Sequence, residues 1–370
     1  MRVLAWTCQK GLSLVEMMIA LLLGAVVSVG VIQLFGANSD TYDLMQGQSR
    51  MQESARFSLS FISRAVQEAG YKGCFSTTND VYSTIQPPTN IPYEFNVLRG
   101  LQGYDGQNAT TWLPALTDLD TAFVTGNAID TSQVLGGTDV LTVRYASQNG
   151  AQLIADMPTS SEDVQVEIPS TGLEFALNDL VLISDCEKST VFRITTLTQD
   201  SPAAGDATIG HDTDDVDATR NSVTKLAEVN TYDQDAVVAA IRTNTFFIAP
   251  GTGVNNVGDT PLSLWRKYGT DAPVELVEGI EDLQILYGVD SDNDGTPNQY
   301  TTANLVTDYG QVVTVRITVT ANSVDDVGGT STPTHGCIAS GGEQKCINGV
   351  NYDGLVRRTF HQTVQVRNKG

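Results

Sequence analysis

From Leu12 to Phe35 the chain reads as one apolar run of 24 residues carrying a single charge, Glu16. The pattern then changes. Apolar residues recur at Met51, Ala55, Leu59, Ile62, Val66 and Ala69, at spacings of 4, 4, 3, 4 and 3. At about 1.5 Å of rise per residue the first run crosses a hydrocarbon core of about 30 Å. The second run traces one face of an amphipathic helix. No proline separates them, so the pattern predicts a continuous helix over 12–70, roughly 85 Å long, with its membranous half at 12–35 and its second half packed on a globular domain. Gly70 is the expected C-terminal cap. Gly24, Gly30 and Gly36 fall inside at six-residue intervals. Each costs about 1 kcal/mol in a helix interior, which suits either local melting outside lipid or close helix packing.

Beyond Tyr71 the helical period is lost. Residues 71–135, with Pro87, Pro88, Pro92 and Pro114 among many Gly, Asn and Thr, read as an irregular connecting region. Short β-rich segments bounded by turn residues follow at 140–145, 164–168, 180–183, 191–197, 245–248, 262–265, 283–287, 312–319 and 360–366. They predict a globular domain over 136–370 built mainly on an antiparallel sheet, with an acidic surface insertion near 199–234. The expected fold class is therefore α+β, and no repeat of 20 to 50 residues is evident.

Charge narrows the partners. The chain has 21 Lys and Arg against 43 Asp and Glu, a net charge of −22. Such a surface opposes nucleic-acid binding by phosphate neutralisation and docking on anionic lipid, and it suits divalent cations. Residues 1–11 carry Arg2 and Lys10 and no acid, so a chain cut after Gly11 keeps 19 basic against 43 acidic side chains, a balance of −24. Removing that leader also removes Cys8. Cys74, Cys186, Cys337 and Cys346 remain, an even set suited to disulfides in an exported protein. The short Gly341-Gly342 segment between Cys337 and Cys346 suits a tight stapled loop, which leaves Cys74 for Cys186.

A carboxylate inside hydrocarbon costs about 2.5–3.5 kcal/mol and calls for a partner. Cutting after Gly11 supplies one, because Leu12 then bears an α-amino group four residues before Glu16. A secretory signal peptide would instead need a small-x-small site after the apolar core, and Phe35 stands badly placed before Ala37. A plain membrane anchor is the other alternative. The arrangement of a short basic leader ending in Gly11, an apolar first mature residue at Leu12 and glutamate at the fifth mature position, Glu16, resembles the class III signal of type IV prepilins and type II secretion pseudopilins. The family usually has Phe where this chain has Leu12.

Two further stretches narrow the resemblance. The run from Ala55-Arg56-Phe57 through Ala69-Gly70-Tyr71-Lys72-Gly73-Cys74 looks like the helix end of PilW-type minor pilins. Residues 276–290 and 313–319 also resemble PilW and its relative, the J-type pseudopilin. The resemblance implies the type IV pilin fold, cleavage and N-methylation by prepilin peptidase, and a low-abundance pilin that primes fibre assembly and sits near the tip. Its implied partners are prepilin peptidase, the other minor pilins, the major pilin and the inner-membrane assembly platform. It implies an inner-membrane location with a periplasmic C-terminal domain, followed by an extracellular pilus. A pseudopilin of a secretion or DNA-uptake machine, and a tip adhesin favoured by the unrecognised middle of the chain, are the alternatives.

Two sets of residues bear on chemistry. Asp290, Asp292, Asp294 and Asn298 stand at positions 1, 3, 5 and 9 of an EF-hand-like loop, with Gly295 at 6 and the Thr296 carbonyl at 7. They predict a calcium site that lacks the usual bidentate Glu, since Thr301 stands at position 12. The alternative is an acidic Asx-turn loop between strands. The segment 211–217 is acidic without that spacing. His211, His335 and His361 are far apart in sequence, and neither a phosphate loop nor a nucleophile elbow occurs, so the sequence gives no support to an enzyme.

Overall fold

A computed structural model describes residues 13–74, 81–199, 205–213, 219–226, 231–329, 339–340, 343–344 and 354–368. Gly11, Leu12, Cys337 and Cys346, with the loop expected between the last two, lie outside the described residues.

One helix, Leu14–Glu68, runs for 55 residues. Its start is closed by a reciprocal cap. The Ser13 Oγ accepts the Val15 N–H at 3.3 Å, and the Glu16 Oε2 accepts the Ser13 N–H at 3.0 Å. Its end is set by Gly70, which takes a φ of 72° just beyond the last turn, a conformation glycine adopts without a side-chain penalty. The helix is continuous through Gly24, Gly30 and Gly36, where an added Cβ would meet nothing within 4 Å. The stripe read from the sequence is the buried one: Met51, Ala55, Leu59, Ile62, Val66 and Ala69 are all covered. Gly47 is the first buried residue of the helix, and a Cβ there would lie 3.1 Å from that of Ser323. Before it, side chains such as Leu21, Ile32 and Phe35 are about 70% exposed, a surface that only hydrocarbon or other helices would cover.

The packed half of the helix lies against a four-stranded antiparallel sheet in the order Gln299–Thr301, Ile280–Val289, Val312–Asn322 and Arg357–Gln365. Strand alternation explains which face it covers. Val315, Ile317, Val319 and Ala321 point one way into that core, and each of these side chains stabilises by about 1.5–3 kcal/mol except the smaller Ala. Leu141, Val143, Phe246, Ile248 and Leu264 join the same core from a second sheet. That sheet has ten strands, and its main path runs Tyr82–Ser83, Ser189–Arg193, Leu180–Ser184, Val237–Pro250, Val140–Ala146, Leu101–Asn108 and Thr111–Leu113. Its pairings are antiparallel apart from the first. The class is α+β, a long helix on antiparallel sheets, as the sequence predicts.

The sheets extend further than the sequence pattern does. Residues 71–135, expected to be irregular, contain the strand Leu101–Asn108, held because Leu101 to Tyr104 pair with Val143 to Val140. The acidic segment 199–234, expected as a surface insertion, contributes the strand Asp206–Gly210, which is the middle of a three-stranded sheet between Val164–Glu167 and Thr196–Gln199. His211, Asn221, Leu226 and Tyr232 from that segment are buried. Cys74 and Cys186 form a disulfide that closes a sequence separation of 112, tying the exit of the helix to the end of the strand Leu180–Ser184. On the chain-entropy model a closure of that length is worth about 4–5 kcal/mol.

Candidate functional sites: the helix start, the acidic hairpin and two buried charges

Glu16 sits in the first turn of the helix with its carboxylate folded back on the Ser13 amide. The sequence Ser13-Leu14-Val15-Glu16 is a capping box, a signal legible in advance as Ser followed three residues later by Glu. The carboxylate therefore has one donor before any cleavage occurs. Leu12, whose α-amino group a cut after Gly11 would expose, lies next in sequence to that donor and outside the described residues.

The acidic segment 290–298 joins Ile280–Val289 to Gln299–Thr301, a short strand that folds straight back along the first, with Tyr287 opposite Thr301. It is thus a hairpin loop, whereas the sequence suggested a connection running on to Val312. Asp290 is fully buried, and its two oxygens accept the Asp294 N–H at 3.2 Å and the Gly295 N–H at 2.9 Å. Asp292 and Asp294 are exposed, and one oxygen of each of the three aspartates lies within 4.8 Å of the others. Three hard oxygens at that spacing suit a cation that takes oxygen ligands at about 2.3–2.6 Å. Asn298 turns its Oδ1 to the Ser291 N–H at 2.7 Å and the Ser291 hydroxyl at 3.0 Å, closing the loop. Thr296 donates its N–H to the Asp294 Oδ1 at 2.7 Å. The three aspartates are accordingly the groups that would hold a metal, and Thr301 is carried away along the strand. Beside the hairpin, with Asn293 on its rim, a cleft of about 1120 Å³ opens between the end of the helix at Gly70 and the segments of Gly103 and Tyr309.

Two buried charges were not found from the sequence. Arg144 is fully buried in the strand Val140–Ala146. Its Nε donates to the Tyr93 carbonyl at 2.8 Å, its Nη1 to the Arg99 carbonyl at 3.1 Å and its Nη2 to the Gln102 Oε1 at 3.0 Å. The guanidinium carbon also lies 4.4 Å from the centre of the Tyr93 ring. Burial lowers its pKa, and the neighbouring Tyr93 and Tyr104 oppose that shift. The available signal was a lone charge in an apolar strand pattern. Asp139 accepts the Gly106 N–H at 2.9 Å and the Ile285 N–H at 2.7 Å, and so bridges the two large sheets. Burial pushes its carboxyl up to about 7, against those two donors and with help from Asp105 and Asp282.

Comparison with known proteins bears on both ends of the chain. Residues 245–368 match the family described as type IV pilus-assembly protein W, PilW. Residues 6–32 match the prokaryotic N-terminal methylation motif, which spans Gly11, Leu12 and Glu16. No curated protein matches the chain. Among solved structures, a type IV-like pilin from Thermus thermophilus is 14% identical over 54% of this chain and 88% of its own, at a TM-score of 0.20. A TM-score of that size is below what a shared fold gives.

Proposed function

We propose that the chain is a type IV minor pilin of the PilW type, as the matches at both its ends support, and that it primes assembly of a type IV pilus and stays near the fibre tip. One observation carries this reading. The helix stands clear of the globular part before Gly47, and its stretch from Leu14 to Phe35, about 33 Å long, leaves its apolar side chains bare, available first to the membrane and then to a bundle of like helices. Pilins are structural proteins, and no enzymatic role is proposed. The partners implied are prepilin peptidase, the other minor pilins, the major pilin and the inner-membrane platform, with the globular part in the periplasm before export. Deleting the gene should cut the number of surface fibres while survivors keep normal length, and immunogold label on the chain should fall at fibre ends. Unchanged fibre numbers, or label spread along the shaft, would count against priming and tip placement. Loss of protein secretion with intact pili would point instead to a pseudopilin. A tip adhesin is the second reading, favoured by the cleft beside the hairpin.

Calcium is proposed as the ligand of Asp290, Asp292 and Asp294. Without a bidentate glutamate its affinity should fall in the extracellular range of about 10⁻⁴–10⁻³ M. At millimolar calcium a dissociation constant of about 0.1 mM gives roughly 1.4 kcal/mol of stabilisation. The melting temperature of the chain in detergent should therefore rise with calcium and not with sodium chloride of equal ionic strength. Asp292→Ala combined with Asp294→Ala should abolish the rise. An equal response of wild type and double variant would leave the hairpin an acidic turn.

A further inference from the structure

The four-stranded sheet ends at Arg357–Gln365, and among the described residues no strand pairs with its outer edge. The hydrogen-bond phase of that edge follows from one contact. Val366 donates its N–H to the Val313 carbonyl at 2.9 Å, so the even-numbered residues bond inward to Val312–Asn322, while Thr359, His361, Thr363 and Gln365 turn their N–H and C=O groups outward. Nine residues at about 3.4 Å each offer an edge of roughly 30 Å.

Proteins usually protect such an edge. This one is instead flanked by a groove of about 750 Å³ between strand and helix, lined by Gln52, Arg56, Phe57, Leu59, Arg358 and Phe360. Phe57 is half exposed although it lies on the packed half of the helix. Charge identifies what fits there. Residues 354–370 hold four Lys and Arg and His361 with no acid, in a chain whose net charge is −22. Arg56 and Arg358 enter no ion pair among the described residues, and Glu53 is the single acid on the groove. The strip is therefore basic, apolar and hydrogen-bonding at once.

We propose that this edge takes up an extended acidic peptide segment of another subunit as a fifth strand, with an apolar side chain in the groove against Phe57 and Phe360 and carboxylates toward Arg56 and Arg358. The inference does not depend on the pilus reading, because purified chain tests it. The full chain in detergent micelles would be titrated with a fluorescent decapeptide of alternating Val and Glu, and with its Val and Lys counterpart. The acidic peptide should bind and the basic one should not, with affinity falling as salt rises. Hydrogen exchange should slow at the amides of His361 and Thr363 on binding, while Gln362 and Val364, already bonded inward, change little. Thr363→Pro removes an outward N–H and leaves the inner ladder intact, so it should weaken binding by about tenfold or more without altering the melting temperature much. Arg56→Glu with Arg358→Glu should do the same by charge and serves if the proline variant does not fold. Equal binding of both peptides, equal binding by wild type and the charge-reversed variant, or failure of the acidic peptide to bind would each overturn the proposal.

Discussion

Glu16→Ala chain is expected to insert into the membrane as well as wild type, and to be depleted about tenfold or more from shear-released fibres. Insertion should not suffer, because removing a carboxylate from hydrocarbon is favourable. Lost capping of Ser13 costs about 1 kcal/mol at the helix start, too little to stop a 55-residue helix from forming. What disappears is the partner for an α-amino group. At about 4 Å and an effective dielectric near 20 that attraction is roughly 4 kcal/mol, and a third of it already shifts incorporation about tenfold. The companion Gly11→Val should block the cut that creates the amine and leave a full-length, membrane-retained chain. Mass spectrometry should find wild type beginning at Leu12, N-methylated. Equal incorporation of Glu16→Ala, or wild-type fibres that retain Met1, would remove the basis for the pairing.

Arg144→Ala is expected to destabilise the globular part by about 3–5 kcal/mol, the range seen when one side of a buried charged network is removed. The substitution strips the donors from the Tyr93 and Arg99 carbonyls and from the Gln102 Oε1. Unsatisfied buried acceptors cost about 1–3 kcal/mol each before relaxation. Backbone groups of the same residue bond Gly100 and Gly70, so the segment 93–102 and the end of the helix would loosen together. Arg144→Lys should rescue little, since an ammonium on a single stem cannot reach three divergent acceptors. Chemical denaturation of the full chain in detergent measures both, and a loss below about 1 kcal/mol for Arg144→Ala would show that water replaces the guanidinium at little cost.

The sequence made some of this legible and hid the rest for identifiable reasons. The helix stripe from Met51 to Ala69 was readable because its partners hardly matter: a period near 3.6 and one buried face suffice. Eight of the nine short segments were readable as strands from β-branched runs between turn residues, while 191–197 straddles the separate strands Ser189–Arg193 and Thr196–Gln199. Leu101–Asn108 was not, because Gly103, Asp105, Gly106, Gln107 and Asn108 carry little strand preference, and its strand geometry comes from the pairing with Val140–Ala146. Asp206–Gly210 was hidden in the same way by two flanking strands. The Arg144 contacts lie 42 to 51 residues away in sequence, beyond any local pattern. In the hairpin, the spacing of Asp290, Asp292 and Asp294 placed the carboxylates together, but not the return strand that removes Thr301. The pairing of Cys74 with Cys186 was reached by elimination, while the partners of Asp139 lie 33 and 146 residues away, beyond any local pattern.

The disulfide at the helix exit has a mechanical meaning. In the proposed fibre a subunit would be pulled along its helix, and the pull would leave the helix at Glu68, six residues before Cys74. From there a covalent shortcut delivers it to Cys186, beside the Leu180–Ser184 strand that lies inside the ten-stranded sheet. The sequence separation of 112 is thereby taken out of the line of tension. At about 3.4 Å per residue that is on the order of 380 Å of contour length that oxidised chain does not surrender when tugged, and reduced chain would.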